Sequence, residues 1–283
     1  MTVIFKSVFP GSEKPVTIVG LGGEGVLRTQ GRDVEARNVI LSAIDSGIMY
    51  FDCARAYADS EIYYGGVWKD MAHQRSLVFQ ASKSAQRDGK SAERELDDTL
   101  KRMHTDYLDL WQIHDVRTED DLNRISGPGG ALEAFIKAKE KGKVRFIGVT
   151  GHHDPDILTR AVSAWPVDSV LMPVNPVEAV LGGFLTRTLP AAKKKGMAVI
   201  AMKIMGGKHY IAPEIGATPE ILIRFALSYD ITTAIVGCSS PGEVKTLASV
   251  GMKPLKLTDL EKENLMALFR PNARRLAFYR GVI

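Results

Sequence analysis

The chain has 283 residues, 45% of them hydrophobic and 25% charged, with 37 Lys and Arg against 33 Asp and Glu. A net charge of +4 with no basic cluster argues against a nucleic-acid partner, and no run reaches the roughly 18 apolar residues that would span a membrane. The length suits a single barrel domain over residues 1–283, since a (β/α)8 barrel takes about 250.

The segment from Met1 to Pro10 has no long apolar stretch and no small-residue cleavage site. Val3 to Thr17 carries Pro10-Gly11-Ser12 between short apolar runs, a hairpin signal expected to plug the N-terminal end of a barrel. From there strand-like and helix-like segments alternate, as parallel strands with helical crossovers do. Thr17 to Leu21 is the first predicted strand, with Gly22-Gly23-Glu24-Gly25 as the loop after it. Asp33 to Ser46 reads as a helix with Val34, Val39, Ile40, Ala43 and Ile44 on one face. Ile48 to Phe51 is the second strand, Glu61 to Ala72 a helix, and Leu77 to Ala81 the third strand. Ser91 is expected to cap a helix reaching Met103, and Tyr107 to Ile113 is the fourth strand, followed by a loop to Pro128.

Gly130 to Glu140 is helical and stops at Lys141-Gly142. Val144 to Val149 is the fifth strand, Pro155 to Ala164 a helix, and Ser169 to Met172 the sixth strand. Leu185 to Lys195 is a helix whose closing Lys193-Lys194-Lys195 suits the negative end of its dipole. Ala198 to Met202 is the seventh strand, Pro219 to Tyr229 a helix, Thr233 to Val236 the eighth strand, and Ser240 to Val250 the last crossover. Thr258 to Phe269 is an extra C-terminal helix, and Arg270 to Ile283 a tail. Eight strands with eight helices are the count of a TIM barrel, while Gly22-Gly23 lacks the glycine spacing of a doubly wound dinucleotide fold. Cys53 and Cys238 stand far apart, each closing an apolar run, and read as buried thiols of a reducing, cytoplasmic compartment.

Asp52, Lys83 and His114 fall at the ends of the second, third and fourth strands, and Tyr57 follows the second by a short loop. Barrel chemistry sits at the C-terminal strand ends, so an acid, a phenol, an amine and an imidazole converge on one mouth. A free phenol has a pKa near 10, and a neighbouring ammonium is expected to pull it down. Asp52 supplies the partner that keeps a buried Lys83 charged. His114 can hold a carbonyl oxygen. Taken singly, each has a plainer reading as loop cap, surface phenol, solvated strand end or core histidine. Four at consecutive strand ends read as a catalytic cluster.

These residues lie in Asp52-Cys53-Ala54-Arg55-Ala56-Tyr57, in Lys83 and in Leu110-Trp111-Gln112-Ile113-His114. With Ser60-Glu61, Gly65 and Ile147-Gly148-Val149-Thr150 they make the chain resemble the aldo-keto reductases over nearly its whole length. The resemblance implies hydride transfer from NADPH or NADH to a small-molecule aldehyde or ketone, with Tyr57 giving the proton. It implies that Gly22, Gly23, Asp52, Thr150, Met202, Gly206 and Gly207 line the cofactor, and that Gly237, Ser239, Ser240 and Glu243 meet its adenosine end. The family usually has Ser-Asn after strand five and Gln in strand six for the carboxamide. Here those positions are Thr150-Gly151 and Leu171 or Met172, with His152 or His153 as a candidate substitute, and Met202 replaces the usual stacking aromatic. A basic residue often stands at the position of Glu243. Ser240-Pro241-Gly242-Glu243 also fits a capping box, so Glu243 reads equally as a ribose ligand and as a helix cap.

Arg55, Trp111, Asp115, Lys208, His209, Tyr210, Phe278 and Tyr279 are candidates for the substrate pocket by position. Two further functional readings stay open. One is a cofactor-binding regulatory or sensing barrel with little turnover. The other is a metal-dependent hydrolase using His114, Asp115, His152, His153 and Asp154, although no His-x-His or His-Glu-x-x-His spacing is present.

Overall fold

In the computed structural model, which describes residues 3–282, eight parallel strands close into a barrel. Met1, Thr2 and Ile283, at the extremes of the N-terminal segment and of the tail, lie outside the described residues. The antiparallel hairpin of β1 (Lys6–Val8) and β2 (Pro15–Thr17) precedes the barrel. The staves are β3 (Val19–Gly25), β4 (Tyr50–Asp52), β5 (Phe79–Ser84), β6 (Leu108–Ile113), β7 (Val144–Thr150), β8 (Ser169–Pro173), β9 (Ala198–Met202) and β10 (Thr233–Cys238), and β10 closes on β3. Their near-continuous apolar sequences follow from burial on both faces.

The helices are α1 (Asp33–Asp45), α2 (Ser60–Asp70), α3 (Ala72–Leu77), α4 (Gly89–Arg102), α5 (Glu119–Ser126), α6 (Ala131–Glu140), α7 (Pro155–Ala164), α8 (Pro176–Leu181), α9 (Leu189–Lys194), α10 (Pro219–Leu227), α11 (Pro241–Met252), α12 (Asp259–Phe269) and α13 (Ala273–Leu276). The barrel interior is filled by Tyr50, Phe79, Ala81, Leu110, Leu171, Ala198, Ile200 and Ile235, and Phe9 of the hairpin closes its floor. The Phe9 ring lies 4.8 Å from both Phe79 and Phe146, and burying such a ring contributes about 1.5–3 kcal/mol. Lys14 fastens the hairpin from outside, 2.9 Å from the fully buried Asp109 carboxylate, which also accepts from Arg75 at 2.8 Å.

The differences from the sequence reading have local causes. Gly22 to Gly25 is strand, not loop, and pairs with β10. A Cβ on Gly22 would stand 2.9 Å from the Gly237 nitrogen, so glycine is required by the close approach of two strands. Thr17 belongs to the hairpin. Asp88, not Ser91, caps α4, by accepting from the Ser91 N–H. The loop after β6 contains α5, capped by Thr118, and Asn175 caps the unforeseen α8. The helix expected over Leu185 to Lys195 is a π-helical turn (Phe184–Thr188) followed by α9, which has Pro190 in its first turn. Lys195 donates to the Val162 and Trp165 carbonyls at the end of α7 instead of serving its own helix. The extra helix α12 is as expected, with a Thr258–Glu261 capping box. Both cysteines are free and buried.

The tail is locked rather than loose. Tyr279 Oη donates to Glu178 Oε1 at 2.8 Å and accepts from Asn175 Nδ2 at 2.9 Å. Arg280 pairs with the same Glu178, and both side chains are almost fully buried. No helix of the described residues is long and apolar enough to cross a membrane.

Candidate active site

The barrel brings the four expected residues together. In register, Asp52 pairs with Ala81 and Lys83 with Gln112, so the ends of β4, β5 and β6 deliver Asp52, Lys83 and His114 to one rim. Lys83 is 1% exposed; its Nζ donates to Asp52 Oδ2 at 2.6 Å and to the Cys53 carbonyl at 2.8 Å. The same Nζ sits 4.7 Å from the centre of the Tyr57 ring. That ring meets His114 edge to face at 5.5 Å. Gly23 makes room for it, because a Cβ there would stand 2.6 Å from the Tyr57 ring.

Burial alone pushes the Lys83 ammonium toward neutrality, but the Asp52 carboxylate and Tyr57 outweigh it and hold its pKa above the ordinary value. Burial raises Asp52, with Lys83 opposing. The expectation that Lys83 leaves Tyr57 with a depressed pKa is corrected. Burial raises the phenol above its usual value, and Lys83 only offsets part of that rise. Burial and the nearby Lys83 charge push His114 down to about 3, so its imidazole is neutral at physiological pH.

A groove of about 470 Å³, bordered by Asp52 and Tyr57 of this cluster but not by Lys83 or His114, leads toward α11. Of the residues expected to line a cofactor, Gly22, Gly23, Asp52, Met202, Gly207, Gly237 and Glu243 border it, together with Tyr57. Thr150, Gly206, Ser239 and Ser240 do not. Thr150 Oγ1 accepts the Asp115 N–H at 2.8 Å, and Gly206 is glycine because the Tyr210 ring packs on it. Leu171 faces the groove, whereas Met172 belongs to the outer core. Ile211, Ile223 and Leu247 add apolar surface to the groove's lining beside Glu243 and Thr246 of α11.

Two ion pairs lie along the groove: Glu24 with Lys203, and Lys208 with Glu243, each at 3.5 Å. Glu243 also accepts the Ser239 N–H at 2.6 Å, so it folds back onto Ser239 and not onto Ser240. Ser240 is the N-cap of α11, accepting from the Glu243 N–H. Glu24, Arg28 and Lys203 escaped the sequence reading. Their signal was position alone, at or just beyond the ends of β3 and β9.

The substrate-pocket candidates divide. Lys208 and Phe278 border the groove, and His209 packs against Phe278 at 5.2 Å. Trp111 faces outward and stacks on Phe135 of α6 at 3.5 Å. Arg55 points to the buried Glu61, 3.4 Å away. Tyr210 is buried beneath the tail, and Tyr279, within the tail, is buried as well. His152 holds the Tyr279 carbonyl at 3.2 Å and lies 3.4 Å from Asp115, and Asp115 binds Arg117 at 2.7 Å. Neither His152 nor His153 borders the groove. Among the described residues no three His, Cys, Asp or Glu side chains gather to hold a metal.

Residues 18–210 match the profile of the Aldo/keto reductase family. L-galactose dehydrogenase of Arabidopsis thaliana is 28% identical over 294 aligned positions, covering 87% of this chain and 90% of the relative. An aldo-keto reductase of Schizosaccharomyces pombe is 24% identical, over 68% of this chain and 58% of its own length. Among solved structures, an aldo-keto reductase of Bacillus halodurans in its holo form superposes with a TM-score of 0.75 at 20% identity, covering 94% of this chain and 96% of the other. One from Klebsiella pneumoniae in complex with NADPH gives 0.75 at 20% identity, covering 95% and 96%. At that identity the two structures speak to the fold alone, but the profile spans more than half of the sequence, and the chain belongs to the aldo/keto reductase family.

Proposed function

We propose that this protein reduces an aldehyde or ketone to an alcohol with NAD(P)H, as a single cytoplasmic barrel domain over residues 1–283. The observation that carries the reading is the Lys83–Asp52 pair set against the Tyr57 ring, beside a neutral His114, at the head of the groove. The groove fits a nicotinamide dinucleotide. Its glycine walls let backbone approach closely, Ile211, Ile223 and Leu247 give it apolar surface, and Lys203 and Lys208 stand along it. When bound, a reduced nicotinamide supplies the hydride. Gly22, Gly23, Asp52, Met202, Gly207 and Gly237 would hold it. Glu243 would meet the adenosine end, while Ser239 and Ser240, engaged with Glu243, stand behind it.

The chain's own work is with the proton. Tyr57, kept protonated by burial, gives its proton to the substrate oxygen. The Lys83 charge stabilises the phenolate left behind, and Asp52 holds that charge in place. His114, neutral with a pKa of about 3, orients the carbonyl by hydrogen bonding and gives no limb to the pH profile between pH 5 and 8. Small carbonyl compounds are the substrate class, and the L-galactose dehydrogenase likeness puts hydroxylated aldehydes on the test panel. Steady-state oxidation of NADPH and NADH with simple and hydroxylated aldehydes, and the reverse reaction with sugars, tests the reading. No turnover with tight cofactor binding would favour a regulatory barrel instead.

Cofactor choice depends on Glu243. Its carboxylate borders the groove but is engaged by the Ser239 N–H and lies near Lys208, so a 2′-phosphate meets little net repulsion. Weak discrimination is expected, with NADPH slightly favoured. Glu243→Arg should shift the kcat/KM ratio toward NADPH by about tenfold, equivalent to about 1.4 kcal/mol. An unchanged ratio would reduce Glu243 to a helix cap.

A further inference from the structure

We propose that Arg28 is a second cation of the active site, acting through Tyr57 to stabilise the negative charge that its oxygen takes on when it gives up the proton. The inference rests on Tyr57 being the proton donor. The geometry points to it directly. Arg28 ends the short helical turn Val26–Arg28 that leaves β3, and its guanidinium carbon lies 4.9 Å from the centre of the Tyr57 ring. Lys83 Nζ is 4.7 Å from the same centre, so two cations flank one phenol at nearly equal range. Arg28 also borders the groove alongside Tyr57 and Asp52.

The placement is built. Arg28 Nη1 donates to Glu24 Oε1 at 2.8 Å, and Lys203 reaches the same oxygen from the end of β9. Glu24 is in turn fixed against β10, because a Cβ on Gly237 would stand 2.5 Å from the Glu24 Cβ. A simple surface pair four residues apart on one turn would need neither the ring beneath it nor the third partner across the groove. The charged groups that act on Tyr57 are then Asp52 from β4, Lys83 from β5, Glu24 from β3 and Arg28 from the turn, with neutral His114 from the end of β6. Glu24 and Asp52 oppose the two cations. Lys83 is fully buried, so solvent barely screens its charge, although Asp52 pairs with it. Arg28 is about half exposed, at 48%, and partly neutralised by Glu24. It is therefore the weaker of the two, a trim on the main setting made by Lys83.

The test reads the phenol itself, without cofactor. Ultraviolet difference titration of the wild type against Tyr57→Phe isolates Tyr57 from the other seven of the eight tyrosines. The same difference is taken in an Arg28→Met background and in an Arg28→Lys background. Arg28→Met should move the Tyr57 titration upward by on the order of half a pH unit, the scale expected of a screened charge about 5 Å away. The alkaline limb of carbonyl reduction, at saturating cofactor, should move the same way. Arg28→Lys keeps the charge on the rim and should recover at least half of the shift. An unmoved titration in Arg28→Met, or equal shifts in Arg28→Met and Arg28→Lys, would overturn the assignment. Full activity of Tyr57→Phe would instead remove Tyr57 from the reaction, and the titration would then report an electrostatic contact with no catalytic use.

Discussion

Tyr57→Phe is expected to lower kcat at least ~10²-fold, the usual worth of a general acid, while the dissociation constant for NAD(P)H changes little. The substitution keeps the ring that packs against Gly23 and faces Lys83, and removes only the hydroxyl. No neighbour can cover the loss. His114 has its pKa pushed to about 3 and carries no extra proton near pH 7, and the Lys83 ammonium is committed to Asp52 and the Cys53 carbonyl. The phenol's pKa is raised, so its proton is available through the neutral range and is lost only as pH rises past that value. Wild-type reduction should therefore hold its rate into the alkaline range and then fall. Single-turnover rates, with cofactor affinity from fluorescence titration, separate the two quantities. Full activity in the variant would end the assignment, and a loss confined to cofactor affinity would make Tyr57 a wall of the groove.

The four residues of the cluster were legible because Asp52, Lys83 and His114 close buried apolar runs, Tyr57 follows one by a short loop, and strand ends in a barrel share one mouth. The same logic, carried one step further, corrects Trp111. A strand alternates its faces, so an inward His114 places Gln112 and Leu110 inside and Trp111 outside, against α6. The glycines of β3 border the groove, and packing explains why they are glycine. Gly22 and Gly25 are glycine first because β3 and β10 approach too closely for a Cβ, and Gly23 because the Tyr57 ring packs on it, so the groove inherits that bare backbone. Helix α5 was also there to be found: Thr118 followed by Glu119, Asp120 and Asp121 is a cap with an acidic first turn. What local pattern could not show was long-range pairing. Glu178 and Arg280 are 102 positions apart, and Lys203 and Glu24 are separated by 179. Each contact exists only once the barrel has closed, so neither the locked tail nor the charges around the groove had a signature in any window of sequence.

Lys83→Met is expected to cost both activity and stability, and the stability loss should depend on pH with a definite sign. Removing the ammonium leaves Asp52, 1% exposed, with a buried carboxylate whose strongest partner is gone. Breaking one side of a buried pair costs about 3–5 kcal/mol. Asp52 is already raised by burial while Lys83 opposes that rise, so the variant's carboxyl should rise further and take up a proton on folding. A folded carboxyl that binds its proton more tightly than the unfolded one gains stability as pH falls. The deficit relative to wild type should therefore be smallest near pH 4 and grow as pH rises through the variant's Asp52 titration. In the wild type the linked Lys83 pKa lies above its unfolded value. Its contribution is thus complete below the unfolded lysine value near 10.4 and is lost only as pH rises above it. Urea unfolding of both proteins at several pH values between 4 and 8 measures this directly. On the catalytic side, any residual activity should show an alkaline limb moved upward, since the larger of the two cations at Tyr57 has gone. A deficit independent of pH, together with an unmoved limb, would mean that Lys83 neither holds Asp52 ionised nor acts on the phenol.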